Sequence, residues 1–327
     1  MKEKLLVTGG SGFVAFHILE EAVKQSYEVY ASIRKGSNIS HLSHLPIHFI
    51  EMDLSNISAL KTQLAQENFS YIIHSAGVTA AKNQAAYNVV NADYTYNLAL
   101  VCTQLALPLK KFVFVSSLAA IGPSVGNANL AENCPPNPVT GYGRSKLLAE
   151  QMLASLKDLP LLTFRPTAVY GPRDKGIYIV LKTFSKGFEP YIGNKPQTLS
   201  FVYVKDLAKL LVDALQAKAS NKTYNVSDGQ GYNRYEMANL SKKILGKSTF
   251  KVHLPGIIVK SLAGILEISG NISGKVPALN REKMNELTAS WVCDANAVQT
   301  ELGYKPQYLL KDGLEETLHW YKEQKWL

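Results

Sequence analysis

The sequence predicts a doubly wound α/β fold, a parallel sheet with helices on both faces, followed by a smaller C-terminal lobe. Three observations lead there. Strand-like and helix-like segments alternate from Lys4 to Arg165, a glycine-rich turn follows the first strand directly, and the alternation fades after Gly171. Such alternation implies βαβ units, because parallel neighbours need a crossover helix.

Lys4–Thr8 is a short apolar run, read as the first strand, and residues 13–25 then repeat with helical period. Glu28–Ile33 and His48–Met52 read as the second and third strands, and Leu60–Gln66 as a short helix. Tyr71–His74 is a fourth strand and Tyr87–Leu105 a long amphipathic helix. Lys111–Ser116 is a fifth strand, Tyr142–Lys157 a helix and Leu161–Arg165 a sixth strand. Beyond Gly171 the turn-rich stretches FEPYIGNKPQTLS and NVSDGQGYNR interrupt the pattern, a helical run returns at Lys205–Ala217, and the tail from residue 233 reads as helices and loops.

The chain has 327 residues, of which 46% are apolar and 19% charged. That composition buries a core and excludes a mainly disordered chain. The net charge is +9, but Lys and Arg are scattered without aromatic interleaving. This describes a solvated basic surface that attracts anionic ligands, not a nucleic-acid binder. Cys102, Cys134 and Cys293 are odd in number and far apart, which suggests free thiols in a reducing compartment. The apolar run at the N-terminus is too short for a signal-peptide core, and the stretch Ile257–Ile268 is broken by Lys260 and Glu267. A cytoplasmic protein without a membrane span is expected.

Gly9-Gly10-Ser11-Gly12-Phe13-Val14-Ala15 fits both GxGxxA, from Gly10, and GxxGxxA, from Gly9. The chain must turn sharply from strand to helix there, and its backbone must approach a pyrophosphate closely, so Cβ atoms are excluded. The helix N-terminus then offers free N–H groups and a positive dipole end. Strand, turn and helix at the start of a βαβ chain point to a dinucleotide. Residues 1–170, with returns to the sheet at about 200–230, are accordingly read as the dinucleotide-binding unit, and residues 171–327 as mainly a substrate lobe.

An NAD site places an acid about twenty residues past the glycines to accept from the ribose 2′-hydroxyl. The second strand instead ends in Ile33-Arg34-Lys35. Arg34 would attract a 2′-phosphate, so the expected cofactor is NADP, with NAD the alternative. Asp53 follows the third strand and suits the adenine amino group; Asp53 or Ser55 would equally serve as a helix N-cap.

Tyr142 and Lys146, in YGRSK, share one face if the segment is helical. An ammonium beside a phenol lowers its pKa from about 10 and suits it to proton exchange with a substrate oxygen. Ser117, just past the fifth strand, would donate to the same oxygen, with Ser116 the alternative and strand-end capping the structural reading of both.

Together these elements resemble the extended short-chain dehydrogenases/reductases, the NAD(P)-dependent epimerase/dehydratase family. The resemblance rests on TGGSGFVA, MDLSN, HSAG (His74–Gly77), VNADYTYNL, FVFVSSLAAIG, YGRSK, RPTAVYGP and FVYVKDLA, and on the tail motifs KVPALNREKMNEL and ELGYKP. It implies a Rossmann-type fold and a catalytic set of Ser117, Tyr142 and Lys146, with Lys146 also holding the nicotinamide ribose. It further implies Gly9, Gly12, Phe13 and Val14 at the pyrophosphate, Asp53 and Leu54 at adenine, and Ser75, Ala76 and Gly77 as a wall beside the cofactor. Asn91 would approach the cofactor from its helix, and Pro166 would lie at the nicotinamide end. Ile121 stands where many sugar-nucleotide enzymes of the group carry Tyr. With Arg34 and the helical tail, it looks more like the dihydroflavonol reductase and hydroxysteroid dehydrogenase branch. The implied activity is interconversion of a secondary alcohol and a ketone on a small-molecule substrate, with Tyr142 as acid/base. The alternative is a nucleotide-sugar epimerase or dehydratase. The resemblance also implies a homodimer through the helices at Tyr87–Leu105 and Tyr142–Lys157.

Other features have simpler readings. His41, His44 and His48 lie in a loop setting with Pro46, which does not bring them to one metal. Leu254–Ile268 suits a core or lid helix, with a membrane-surface helix as the alternative. Arg173 and Lys205-Asp206 would border the substrate cleft or form surface ion pairs.

Overall fold

The computed structural model describes residues 2–105, 107–126, 129–261, 264 and 280–327. Its strands are β1 (Lys4–Thr8), β2 (Glu28–Ile33), β3 (His48–Glu51), β4 (Tyr71–His74), β5 (Lys111–Val115), β6 (Leu161–Pro166), β7 (Ala168–Tyr170), β8 (Phe188–Ile192), β9 (Thr198–Leu199), β10 (Phe201–Tyr203), β11 (Lys222–Val226), β12 (Tyr232–Asn233) and β13 (Phe250–Leu254). Seven of them form one parallel sheet in the order β11-β6-β5-β4-β1-β2-β3. The strand order reverses between β1 and β4, which is where open α/β sheets bind ligands. The seventh strand, β11, extends the edge beside β6 and was not singled out by its sequence, KTYNV.

Both faces of the sheet are buried because its strands are apolar at successive positions. Leu5, Val7, Val113 and Phe164 pack on one side with α1 (Phe13–Lys24) and a helix at Val204–Asp213. Leu6, Ile72, Phe112 and Phe114 pack on the other with α2 (Ile57–Glu67), α4 (Tyr94–Gln104) and α5 (Gly141–Ala154). Each fully buried Leu or Phe contributes roughly 2 kcal/mol. A separate cluster around Tyr170, Phe184, Phe201, Tyr203, Leu314 and Tyr321 forms the core of the C-terminal part.

Two expectations change. The single helix expected at Tyr87–Leu105 is α3 (Gln84–Asn88), a π turn at Val89–Asp93, and then α4. The wide turn brings Asn91 to full burial; such π turns cluster at functional sites. Neither Asp53 nor Ser55 caps α2: Asn56 does, accepting from the Ala59 N–H at 3.0 Å, while Asp53 accepts from the Ser55 N–H and hydroxyl.

The sheet is fastened at the switch point by His74. Its Nδ1 lies 2.8 Å from Thr8 Oγ1 and its Nε2 2.8 Å from Thr95 Oγ1. Thr95 donates to the Asn91 carbonyl, so Nε2 carries the proton and Nδ1 accepts. Burial pushes the His74 pKa down to about 3, with Lys146 adding to the effect. The unfolded chain therefore binds one more proton than the folded one between about pH 6.5 and pH 3, and stability falls as pH drops through that window. Over that window the loss approaches about 5 kcal/mol. Denaturant unfolding from pH 7.5 to pH 4 checks this: His74→Asn loses less stability on acidification than the wild type, and parallel curves would refute it.

Candidate active site

The glycine turn fits a diphosphate. Gly9 has φ +73°, and a Cβ there would stand 2.9 Å from Ala76 Cα, so only glycine lets the turn lie against the end of β4. The Gly10 N–H donates to the Ser32 carbonyl at 2.9 Å, and the Gly12 N–H to the Gly9 carbonyl at 2.8 Å. Helix α1 then starts at Phe13 with no side-chain cap and no acid in its first turn. Its positive end is left to an anion. Gly12 is exposed, Phe13 and Val14 are half-buried, and Ala15 packs against the sheet.

Ser75, Ala76 and Gly77 line the same side of the switch point. The Ser75 hydroxyl donates to the Thr8 carbonyl at 2.8 Å, and the Ala76 N–H to Thr8 Oγ1 at 3.3 Å. A Cβ on Gly77 would lie 3.0 Å from Asn91 Oδ1 and 3.5 Å from Lys146 Nζ, so this wall and the Lys146 ammonium are neighbours. Asn91 is engaged within the protein. Its amide accepts from the Val78 N–H at 2.8 Å and donates to the Val78 carbonyl and to Ser145 Oγ, both at 2.9 Å. It is a positioning residue that ties the wall to α5.

Thr140 caps α5, accepting from the Gly143 N–H at 3.1 Å, and places Tyr142 and Lys146 one turn apart. Ser117 lies two residues past β5 and caps the turn Leu118–Ala120. The two candidate serines separate here. Ser116 is buried and donates to Glu150, which is held by Arg165 at 2.6 Å. Ser117 accepts from the Ala119 N–H at 3.2 Å and stands close enough to the Tyr142 phenol to favour its ionised form.

The expected depression of the Tyr142 pKa is absent. Burial pushes it up to about 12; the Ser117 side chain opposes this, while Glu286 and Tyr87 add to it. Lys146 does not offset the burial because its ammonium is engaged elsewhere. It donates to the Val115 carbonyl at 2.9 Å and lies 4.9 Å over the Phe114 ring. Its own pKa is lowered to about 8 by burial. In the protein alone the pair is therefore a protonated phenol beside an ammonium that gives up its proton easily.

The other expected positions fall as follows. Arg34 is exposed at the end of β2, with no ion pair among the described residues. Asp53 is exposed, and the Leu54 carbonyl is held by Asn97 at 3.1 Å. Pro166 is buried at the end of β6, opposite Val226. Ile121 is buried with Leu118, Leu130 and Cys293. Arg173 stacks on Phe16, its guanidinium carbon 4.1 Å from the ring centroid. Lys205 pairs with Glu316, and Asp206 accepts from the Gln307 and Tyr308 N–H groups. His41 and His44 flank Phe16 while His48 stacks on Tyr30, and no metal cluster occurs among the described residues. Of the stretch Leu254–Ile268, residues 254–261 and 264 are described and the others lie outside the described residues.

Two contributors were missed by sequence reasoning. The helix Arg281–Thr288 sends Glu282 to the Gly141 N–H at 2.7 Å and to Arg144, which seats that helix on the start of α5. No sequence signal marks that contact. Gly143 is the other, and it did carry a signal, a glycine inside a helix. A Cβ there would stand 2.3 Å from the Ala119 carbonyl, so α5 touches the Ser117 turn only because position 143 has no side chain. Helix propensity alone would make Gly143→Ala stabilising by about 1 kcal/mol. The contact reverses the sign: Gly143→Ala lowers the unfolding midpoint and parts Tyr142 from Ser117, and a raised midpoint would disprove this.

The sequence profile of the NAD dependent epimerase/dehydratase family matches residues 5–227. The chain is 26% identical to the N-acetyl-alpha-D-glucosaminyl-diphospho-ditrans,octacis-undecaprenol 4-epimerase of Escherichia coli O157:H7, over 98% of this chain and 96% of that protein. It is 25% identical to the decarboxylating sterol-4-alpha-carboxylate 3-dehydrogenase of Candida albicans, over 98% of both. Among solved structures, the Bacillus cereus UDP-glucuronic acid 4-epimerase in complex with NAD superposes with TM-score 0.78 at 24% identity, over 98% of this chain and 99% of that one. With its glycine turn, parallel sheet and Tyr–Lys helix, the chain belongs to the NAD dependent epimerase/dehydratase family and is an NAD(P)-dependent enzyme of the extended short-chain dehydrogenase/reductase type.

Proposed function

We propose that the protein interconverts a secondary alcohol and a ketone on a neutral, largely apolar small molecule, with Tyr142 as acid/base. The observation that carries this reading is the convergence of Ser117, Tyr142 and Lys146 beside the Gly77 wall. A bound nicotinamide supplies the hydride donor or acceptor. Ser117 polarises the substrate oxygen, Tyr142 gives or takes its proton, and Lys146 holds the ribose. The raised Tyr142 pKa suits proton donation to a forming alkoxide. Gly9, Gly12, Phe13 and Val14 bind the diphosphate, Asp53 and Leu54 meet adenine, and Pro166 borders the nicotinamide end.

The sterol dehydrogenase relative supports a neutral, apolar substrate. The second reading, a nucleotide-sugar epimerase or dehydratase, is favoured by the UDP-glucose 4-epimerase of Vibrio cholerae, 27% identical over 97% of this chain. Arg34 supports NADP: it is an exposed cation where an acid would select NAD. The family resemblance supports a homodimer in which α4 and α5 pair across a two-fold axis, and the free thiols of Cys102, Cys134 and Cys293 suit the cytoplasm.

Tyr142→Phe lowers turnover by about two orders of magnitude or more while cofactor binding persists; full activity would end the mechanism. Net change in reduced-nicotinamide absorbance with a ketone or alcohol supports oxidoreduction, and epimer formation without it identifies the second reading. Arg34→Glu weakens NADP about tenfold or more relative to NAD, the effect of one lost charge-assisted contact; an unchanged ratio in titrations of both cofactors would rule out Arg34 as the selector.

A further inference from the structure

Strands β8 and β13 pair in parallel outside the main sheet, with Phe188 opposite Phe250, Pro190 opposite Val252 and Ile192 opposite Leu254. Side chains alternate along a strand, so these six residues share one face. The other face carries Glu189, Tyr191, Lys251 and His253. Glu189 has a fully buried side chain that accepts from Lys242 Nζ at 2.9 Å and from the Tyr191 hydroxyl at 2.7 Å. The His253 ring stacks on Tyr191 with centroids 5.4 Å apart. The ribbon is thus inverted: its polar face turns inward, and its apolar face meets solvent, with Phe188 50%, Phe250 69% and Leu254 41% exposed. The next turn adds Ile257 and Ile258, also exposed. A half-buried ribbon in water carries the opposite pattern, and contiguous exposed apolar patches mark interaction surfaces.

Charge identifies the occupant. Lys186 precedes the ribbon, Lys243 and Lys247 line a depression next to it with Gly246 and Ser248, and Lys260 follows. From Met237 to Leu266 there is no Asp or Glu. Exposed aromatic and aliphatic side chains rimmed by ammonium groups match the headgroup boundary of a bilayer, where apolar groups enter the acyl region and lysines meet phosphates. A second copy of the chain would bring lysine rim against lysine rim. No helix of the described residues is long and apolar enough to cross a membrane, so the contact is with the surface. We infer that the apolar face of the β8–β13 ribbon, with its lysine rim, docks the protein onto an anionic lipid bilayer.

Co-sedimentation with vesicles tests this without any assay of activity. Wild-type protein binds phosphatidylcholine vesicles containing phosphatidylglycerol about tenfold or more tightly than phosphatidylcholine alone, and added salt weakens the binding. Phe188→Ser/Phe250→Ser lowers binding about tenfold or more, and Lys186→Glu/Lys247→Glu removes the preference for the anionic lipid. Both variants keep the wild-type unfolding midpoint, since all four side chains are exposed. Equal sedimentation of wild type and the Phe variant overturns the inference. So does self-association of the wild type that the Phe variant abolishes, which would assign the face to a second copy.

Discussion

The side chain of Asn91 holds the two halves of the site in one geometry. One half is the Ser75–Gly77 wall at the sheet's switch point, and the other is α5 with Tyr142 and Lys146. Asn91 reaches both, through Val78 and Ser145, and Ser145 in turn donates to the Tyr142 carbonyl at 2.7 Å. A buried amide that satisfies three partners is costly to disturb, because each broken bond leaves a polar group unpaired out of water. The π turn exists in this setting. An ordinary helix from Gln84 to Gln104 would rotate Asn91 away from one of its partners.

The electrostatics of the pair follow from the same enclosure. Burial disfavours the charged form of both groups, so the Tyr142 phenol keeps its proton and the Lys146 ammonium is held only weakly. The backbone carbonyl of Val115 and the face of Phe114 supply the partners that keep Lys146 charged in an otherwise apolar place. The protein thus arranges a proton donor and a cation that respond strongly to any charge brought into the cleft.

The fold and the segments that meet at the candidate site were legible in the sequence because each leaves a local mark. Glycines of a tight turn, a Tyr and Lys one helical turn apart, and continuous apolar strands such as KFVFV are short-range patterns. What was not legible depends on distant segments meeting. The Lys146 ammonium was expected at the phenol and lies at Val115 instead. Asn56 caps α2 although Asp53 and Ser55 are equally good cap residues by type. The Glu282 contact joins residues far apart in the chain, and the inverted ribbon emerges only when FEPYI and FKVHL are set side by side.

The Glu282 contact also sets the charge around the phenol. Its carboxylate sits on the first N–H of α5, and Glu286 on the same helix acts on the phenol. Withdrawing both anions together would leave the positive end of α5 unopposed, and the phenol would ionise more readily.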